Sequence, residues 1–233
     1  MASVQFEPIR ALRAARRLAA DPDDLPQVFT IIESLAFNTL ERTVRRMAAD
    51  PRGRPLLSAR PDIVQKLSDR AALSRLPEGS LGRAYLEFVE RENISAEGIR
   101  VAAEQGMRDA DALPAPLDWM SRRMRDTHDL WHVVTGYSGD VLGETSLLAF
   151  TFTQTWSPGV ALILAIGLVK TLGGLSARRT ILDGFMRGLR SEWLPAQDWE
   201  GLLALPLLDV RTRLSIGEPP VYTPISSAEI KAA

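Results

Sequence analysis

Apolar residues recur every three to four positions along most of this chain, so that they fall on one face of successive helices. No stretch of useful length alternates with a period of two, and no strand is predicted. The pattern therefore predicts an all-α fold in which short connections join the helices. The predicted helices cover residues 9–20, 24–49, 61–67, 81–88, 96–108, 117–134, 144–155, 159–169, 177–190, 199–204 and 207–214.

Polar residues and glycine mark several of the predicted helix ends. Ser80 and Ser95 each precede an apolar helical pattern and can accept a hydrogen bond from the first turn. Residues 51–60 are predicted as a turn, because proline and glycine interrupt the pattern there. A second turn is predicted at residues 135–137, around Gly136.

The segment 145–169 contains no charged residue, and its length alone would allow it to span a membrane. Polar residues and Pro158 interrupt its middle, however, and the remaining apolar piece is too short to cross a bilayer. We therefore expect two helices that meet at residues 156–159. The second is apolar on nearly every face, which favours burial in the core or a subunit interface over contact with lipid.

Composition limits the classes of function. The chain has 233 residues, of which 45% are hydrophobic, and a formal net charge of -1. These values predict one domain over residues 1–233, with an amphipathic helix and turn in 1–24 and an extended tail in 217–233. The balanced charge argues against nucleic acid as a partner. The absence of cysteine excludes disulfides, thiolate metal sites and cysteine nucleophiles.

Residues 9–20 form an arginine-rich amphipathic segment, which is typical of a mitochondrial transit peptide as well as of a surface helix. Acidic residues follow at once in 21–24, and this favours a first helix of the fold.

The chain has only two histidines, His128 and His132, which lie four residues apart. On a helix both project from one face, one turn apart, as two imidazoles must do to bind one metal ion. The predicted turn at 135–137 lets a second helix bring Glu144 back as an oxygen ligand. Asp129 is either a fourth ligand or the acceptor that orients an imidazole. The sequence thus predicts a metal site built from His128, Asp129, His132 and Glu144.

Imidazole and carboxylate ligands suit zinc, iron(II) and manganese, and these ligands do not choose among the three. Of the three ions, zinc generally binds such ligands most tightly, and this favours zinc. Two histidines and one carboxylate are also the ligands of non-haem iron oxygenases, so redox chemistry stays open. The site matches HExxH metalloproteases poorly, since Asp129 stands where that motif has its glutamate.

Two neighbouring residues are candidates for substrate binding. Arg125 shares the face of His128 and could hold a carboxylate or phosphate through both terminal nitrogens, or instead pair with Asp129 four residues on. Tyr137, like Trp131, could line a pocket or pack in the core.

The spacing HDxxH, eleven residues, then Glu resembles the signature of the ubiquinone (coenzyme Q) biosynthesis protein 4 family, here at residues 128–144. The similarity covers residues 25–222. It includes Arg-Met-Arg-Asp at 123–126, the segment 76–88, and a C-terminal pattern that starts at Trp199-Glu200 and ends at Pro219-Pro220.

The resemblance implies an all-α protein, usually a dimer, that binds peripherally to a membrane and works beside other ubiquinone-biosynthesis enzymes. In a bacterium this would be the cytoplasmic face of the inner membrane, and in a eukaryote the matrix side of the mitochondrial inner membrane. The metal of the family is usually described as zinc. A bacterial relative could also act on a different prenyl lipid.

Two roles follow from the resemblance. As an enzyme, the protein would remove the ring carboxylate of a polyprenylated hydroxybenzoate and leave a hydroxyl, with the metal on the ring oxygens and Arg125 on the carboxylate. As a scaffold, it would anchor the polar head of the same lipid at the metal and Arg125, and the helices of 145–169 would enclose the prenyl tail. A weaker third hypothesis is a metallohydrolase that acts on a prenyl phosphate.

Overall fold

The structure, a computed structural model, describes residues 6–36, 38–107, 113–171 and 174–232. Within these ranges the chain is mainly helical, and the only β-type pairing is an isolated bridge between Ser80 and Pro206. The prediction of an all-α, multi-helix domain is confirmed. The helices are α1 (Pro8–Ala20), α2 (Leu25–Ser34), α3 (Thr39–Ala49), α4 (Gly53–Ala59), α5 (Val64–Ser68), α6 (Arg70–Ser74), α7 (Leu81–Arg91), α8 (Ala96–Gly106), α9 (Ala115–Asp126), α10 (His128–Thr135), α11 (Val141–Thr155), α12 (Pro158–Thr171), α13 (Leu175–Arg190), α14 (Trp199–Leu202), α15 (Leu207–Arg213) and α16 (Ser227–Ala232), with a 3-10 turn at Leu194–Ala196.

The prediction of one long helix over residues 24–49 is wrong, because the chain breaks between α2 and α3. Leu35 leaves helical geometry with φ -114° and ψ 13°, although its amide still donates to the Ile31 carbonyl. The two halves pack against different partners: α2 against α1, α8 and α12, and α3 against α4 and α9. A single straight helix could not bury its apolar face against both groups.

The turn predicted for residues 51–60 is also wrong, since α4 occupies most of that segment. Pro55 stands in the first turn of α4, where its missing N–H costs no intrahelical hydrogen bond. The predicted helix 117–134 is divided into α9 and α10 by Thr127 alone. Both serine caps are confirmed, since the Ser80 and Ser95 hydroxyls accept from the amides of Arg83 and Gly98.

The largest cluster of buried apolar side chains surrounds α10. Every residue of this helix after His128 is buried, and α7, α9, α11 and α15 pack around it. Its apolar neighbours include Trp131, Phe150, Trp199 and Leu214. The two histidines are therefore carried by the most enclosed helix of the main core, whose position is fixed from several sides.

The break predicted inside the charge-free segment is confirmed. α11 ends at Trp156, which has a left-handed φ of 51°, and α12 begins two residues later at Pro158. α12 packs against α2, α1 and α11, although few of its apolar residues are completely buried. Among the residues that the structure describes, no helix has the length and hydrophobicity needed to cross a membrane.

The two ends of the described chain lie against the same part of the fold. α1 packs on α2 and α12, and Ala14, Ala15 and Leu18 are buried in the cluster that these helices share. The tail is extended over 217–226 as predicted, but the extended prediction is wrong for 227–232, which form α16. Lys231 of α16 contacts the turn after α1, with Nζ 2.7 Å from a carboxylate oxygen of Asp21.

Candidate metal centre

Three of the four predicted metal ligands converge between α10 and α11. His128, His132 and Glu144 each offer one ligand atom, and these atoms all lie within 4.8 Å of one another. The Nε2 atom of His132 is 3.2 Å from Oε1 of Glu144, and that of His128 is 3.9 Å from Oε2. The two imidazole rings meet edge to face, with centroids 4.8 Å apart.

A short loop brings the glutamate back to the histidines. α10 ends at Gly136, whose φ of 81° is a left-handed geometry that glycine adopts without strain, so the predicted turn is confirmed. Asp140 then caps α11: its Oδ1 accepts hydrogen bonds from the amides of Leu142 and Gly143. Glu144 therefore stands in the first turn of α11, facing the last turn of α10.

Each imidazole has a protein acceptor on the nitrogen that faces away from Glu144. The Nδ1 atom of His132 is 2.9 Å from the carbonyl oxygen of Tyr137, and that of His128 is 3.5 Å from Oδ1 of Asp129. Such acceptors fix the tautomer that leaves Nε2 free to bind a metal. Asp129 lies beside His128 and is not one of the three residues whose ligand atoms converge, so its role as a fourth ligand or as an orienting acceptor stays a prediction.

The charges of His132 and Glu144 are coupled. His132 is 1% exposed, and this burial disfavours its charged form, but the Glu144 carboxylate outweighs burial and raises the pKa of His132 to about 9. The surrounding protein atoms also displace part of the water around the half-exposed Glu144 side chain, which disfavours its charged form, but the His132 imidazolium outweighs this and the pKa of Glu144 falls to about 2. Without a metal the two side chains form an ion pair.

The residues present fit a divalent metal ion. Ligands bound at about 2.0–2.1 Å around one tetrahedral ion lie roughly 3.4 Å apart. The distances of 3.2 and 3.9 Å between Glu144 and the two imidazoles bracket that separation. The carboxylate is 41% exposed and His128 is 35% exposed, so the unfilled side of the group faces open space. Three protein ligands with open positions are typical of catalytic metal sites.

That open space is a cavity of about 890 Å³. The three candidate ligands and Arg125 line it, as do Asp129 and several other charged residues. Most of the remaining lining is apolar and comes mainly from α1, α2, α3, α11 and α12. The apolar residues that line it include Leu18, Val28, Phe29, Ile32, Leu40, Leu148, Val160, Ile163 and Ile166.

Arg125 lies at the cavity but does not form the ion pair with Asp129 considered from the sequence. Its Nε donates to Oδ1 of Asp126 at 2.6 Å, and its terminal nitrogens have no hydrogen-bond partner in the described part of the chain. Burial raises the pKa of Asp126 despite this contact with Arg125. The guanidinium is therefore held by one edge, and its terminal nitrogens remain available to an anionic group.

The prediction that Tyr137 contacts substrate finds no support in its position. Its side chain is buried in the core, where the hydroxyl contacts Oδ2 of Asp183 at 3.1 Å and the ring lies against Arg187. It is not part of the cavity wall. Tyr137 instead serves the site through its carbonyl oxygen, which orients His132. Trp131 is a core residue as well.

Two arginines that sequence reasoning did not single out for the site hold the end of α10. Arg211 donates to the carbonyls of Val133 and Val134, both at 3.0 Å, and Arg187 donates to that of Thr135 at 2.9 Å. Cations at a helix C-terminus satisfy its free carbonyls and oppose its dipole. No local motif could reveal these contacts, because the partners are backbone atoms far away in the sequence.

Comparison with known proteins gives one consistent result. The model of the family "Coenzyme Q (ubiquinone) biosynthesis protein Coq4" matches residues 9–220. The ubiquinone biosynthesis protein COQ4 homolog of Danio rerio is 32% identical over 196 residues, which cover 81% of this chain and 68% of that protein. The Bos taurus homolog is 29% identical, covering 94% of this chain and 81% of its own length. The Meyerozyma guilliermondii protein is 31% identical, but only 59% of its length is covered.

Solved structures share the fold. A crystal structure of the Nostoc punctiforme protein named "Putative ubiquinone biosynthesis protein" superposes with a TM-score of 0.67. It covers 92% of this chain and 100% of its own, at 23% identity. At this identity the likeness concerns the arrangement of helices.

Proposed function

Because this chain belongs to the coenzyme Q (ubiquinone) biosynthesis protein Coq4 family, we propose that it acts in ubiquinone biosynthesis as a metal-dependent enzyme. The proposed reaction removes the ring carboxylate of a polyprenylated hydroxybenzoate and leaves a hydroxyl in its place. One observation carries this proposal: three candidate metal ligands open into a cavity with apolar walls. A substrate with a polar ring and a prenyl tail matches both parts.

The proposed reaction is an oxidation. The ring loses carbon dioxide and takes its new hydroxyl oxygen from water, and the pair of electrons that leaves the substrate reduces dioxygen to hydrogen peroxide. A bound metal supplies Lewis-acid polarisation of the ring oxygens, and iron or manganese can also exchange electrons. We propose zinc, iron(II) or manganese at His128, His132 and Glu144, and the assay below includes all three.

The chain's own residues bind and orient the substrate. Arg125 holds the ring carboxylate through its terminal nitrogens, while Asp126 fixes the other edge of the guanidinium. The acceptors on Nδ1 of His128 and His132 keep both imidazoles turned toward the ring. The apolar walls of α2, α11 and α12 exclude water from the prenyl tail.

The experiment is a turnover assay on purified protein loaded separately with iron(II), zinc or manganese. The substrate is a prenylated 4-hydroxybenzoate, with and without dioxygen. We expect carbon dioxide and the hydroxylated product only with dioxygen, and neither from Glu144→Gln. Glu87→Gln, on the exposed face of α7, is the matched control and should retain full turnover. Phosphate release from a prenyl phosphate would instead support a metallohydrolase.

A non-catalytic scaffold that presents prenyl lipids to other ubiquinone-biosynthesis enzymes is the second candidate. The position of the candidate metal ligands beside a largely apolar cavity supports this role as well. Protein that binds metal and co-purifies with a prenylated phenolic acid and partner enzymes, yet forms no product with any of the three metals, would establish this role in place of the enzymatic one.

Peripheral binding to an anionic membrane is proposed on the outer face of α1. Ile9 and Leu12 are exposed there on successive turns, next to the exposed Arg13 and Arg16, and Phe6 is exposed just before the helix begins. Exposed apolar side chains among arginines are typical of helices that lie in a lipid interface. In sedimentation with anionic vesicles, the double variant Ile9→Ser with Leu12→Ser should lose binding. Leu208→Ser, at another exposed leucine, should retain it.

A homodimer is proposed through the outer face of α13. Leu175, Leu182 and Leu189 are exposed there at intervals of seven residues, which places them on one side of the helix. Sedimentation equilibrium should show a dimer for the native chain and a monomer for Leu182→Glu. A native chain that sediments as a monomer would contradict this proposal.

A further inference from the structure

The extended segment 217–226 crosses the loop that joins the two ligand-bearing helices. Pro219 packs on Gly136, so closely that a Cβ added to the glycine would lie 2.6 Å from the proline ring. Farther along, the Ile225 carbonyl accepts from the amide of Val141 at 2.9 Å, and the Ile225 amide donates to Asp140 Oδ1 at 2.9 Å. The segment therefore contacts the loop at both ends.

Tyr222 ties the middle of this loop. Its hydroxyl oxygen accepts from the amide of Ser138 at 2.9 Å and donates to Oδ2 of Asp140, also at 2.9 Å. The ring packs against Tyr137, with centroids 6.1 Å apart. The partly buried hydroxyl stays protonated, because burial and the neighbouring Asp140 raise the pKa of Tyr222 to about 12.

The loop residues that form hydrogen bonds with Tyr222 also orient two of the candidate metal ligands. Between Gly136 and Asp140, the Tyr137 carbonyl orients His132, and Asp140 caps the helix whose first turn carries Glu144. The Asp140 carbonyl also accepts from the Glu144 amide at 2.8 Å. The Tyr222 hydroxyl is thus linked to His132 through the peptide group between Tyr137 and Ser138, and to Glu144 through Asp140. A shift of the loop would change the orientation of His132 and the distance to Glu144 together.

We propose that Tyr222 is a positioning residue of the metal centre, through which the C-terminal segment sets the geometry of His132 and Glu144. This rests on the proposed metal site. Residues that orient metal ligands typically change metal affinity by about 10–100-fold when mutated. The Tyr222→Phe variant keeps the ring and removes both hydrogen bonds. Because Tyr222 acts one residue farther from the metal, we expect a decrease in metal affinity at the lower end of this range, about tenfold.

The test compares Zn²⁺ affinity of full-length native, Tyr222→Phe and Val221→Ala proteins by competition with a chelator. Val221 is the matched control, since it is the adjacent residue and is 102% exposed. The Co²⁺-loaded proteins provide a second reading, because their visible absorption reports ligand geometry. We expect weaker Zn²⁺ binding and an altered Co²⁺ spectrum only for Tyr222→Phe. The decrease in Zn²⁺ affinity should exceed what any loss of thermal stability of the metal-free protein would explain.

Native affinity and spectrum in folded Tyr222→Phe would overturn the proposal, whereas a native chain that binds no Zn²⁺ would overturn the metal centre itself. A measurement on native protein covers the case in which the variant does not fold. If the segment positions the ligands, the coupling is reciprocal and metal must stabilise the segment. Zn²⁺ should then slow hydrogen exchange at the Val141 and Ile225 amides, and unchanged exchange there would contradict the proposal.

Discussion

Arg123 and Glu200 form a two-pronged ion pair, with Nη1–Oε1 and Nη2–Oε2 distances of 2.8 and 2.9 Å. Their side chains are 3% and 10% exposed, and the pair joins α9 to α14. Arg123 also donates to the Gln197 carbonyl. The arginine-rich approach to the histidines and the distant Trp-Glu pair, two separate parts of the family resemblance, are thus one contact in space.

Removing one partner of this pair should destabilise the fold. Glu200→Ala leaves the Arg123 guanidinium buried without its counter-charge, and we expect a loss of about 3–5 kcal/mol in the free energy of unfolding. Urea denaturation measures it. The control is Glu104→Ala, which breaks an exposed ion pair with Arg100 and should cost less than about 1 kcal/mol. Equal effects of the two substitutions would contradict a structural role for the buried pair.

Replacement of Asp129 distinguishes an orienting acceptor from a metal ligand. Asp129→Asn keeps an oxygen beside His128 Nδ1 but removes its charge, so Zn²⁺ affinity should fall by about tenfold with one ion still bound at saturation. Chelator competition and elemental analysis report both quantities. Asp209→Asn, at an exposed position of α15, should behave as native. Loss of stoichiometric binding in Asp129→Asn would make Asp129 a ligand after all.

Metal binding should depend on pH through His132. Its pKa is raised to about 9 in the metal-free protein, and the metal requires the neutral imidazole, so the ion must displace a proton. Apparent Zn²⁺ affinity should therefore rise about tenfold per pH unit up to about pH 9, with about one proton released per ion near pH 7.5. Calorimetry in buffers of different ionisation enthalpy counts that proton, and a count of zero would contradict the ion pair.

The raised pKa of His132 also makes the stability of the metal-free protein depend on pH. The folded-state pKa of His132 lies above the ordinary 6.5 and that of Glu144 below the ordinary 4.5, so their ion pair contributes fully to stability between about pH 4.5 and 6.5. That contribution is lost as the pH rises to about 9. The thermal midpoint of the metal-free native protein should fall over this range more than that of His132→Gln. Parallel curves for the two proteins would show that the pair adds no stability.

Gly143 allows the loop and the C-terminal segment to lie close to α11. A Cβ at this position would be 2.2 Å from the Ser138 carbonyl oxygen and 2.5 Å from the Tyr222 hydroxyl. Gly143→Ala must displace both of them, at a cost of about 1–3 kcal/mol in the free energy of unfolding. Gly98→Ala is the control, because its Cβ would meet nothing closer than 3.4 Å and alanine favours the helix. An unaffected Gly143→Ala would show that the loop can move freely.

The sequence predicted those parts of the structure that depend on local spacing. His128, His132 and Glu144 lie close together in the chain, and helical periodicity with one turn was enough to place them at one site. The break at Trp156 was predicted because polar residues and a proline interrupt an apolar segment there. In each case the information lies within a few turns of helix.

Other features could not be predicted because they depend on distant partners. The break between α2 and α3 falls within a continuous apolar period, and only the presence of α8 on one side and α9 on the other explains it. Arg187 and Arg211 contact backbone carbonyls of α10, and backbone groups carry no sequence signal. Tyr137 is predicted from the sequence either to line a pocket or to pack in the core, and local spacing does not separate the two; the chain after Gly136 places its ring in the core.

Ser138 and Tyr222, which form a hydrogen bond, are 84 residues apart in the chain. During synthesis, the loop is therefore made before the residue that stabilises it. A ribosome finishes both histidines and the glutamate well before it adds the tyrosine. The growing polypeptide therefore possesses all three ligands while the loop between them is still unsupported, and its hold on a metal ion should strengthen only once synthesis has passed residue 225. We therefore expect insertion of an ion at the proposed site to be a late step of maturation, after the C-terminal segment has folded.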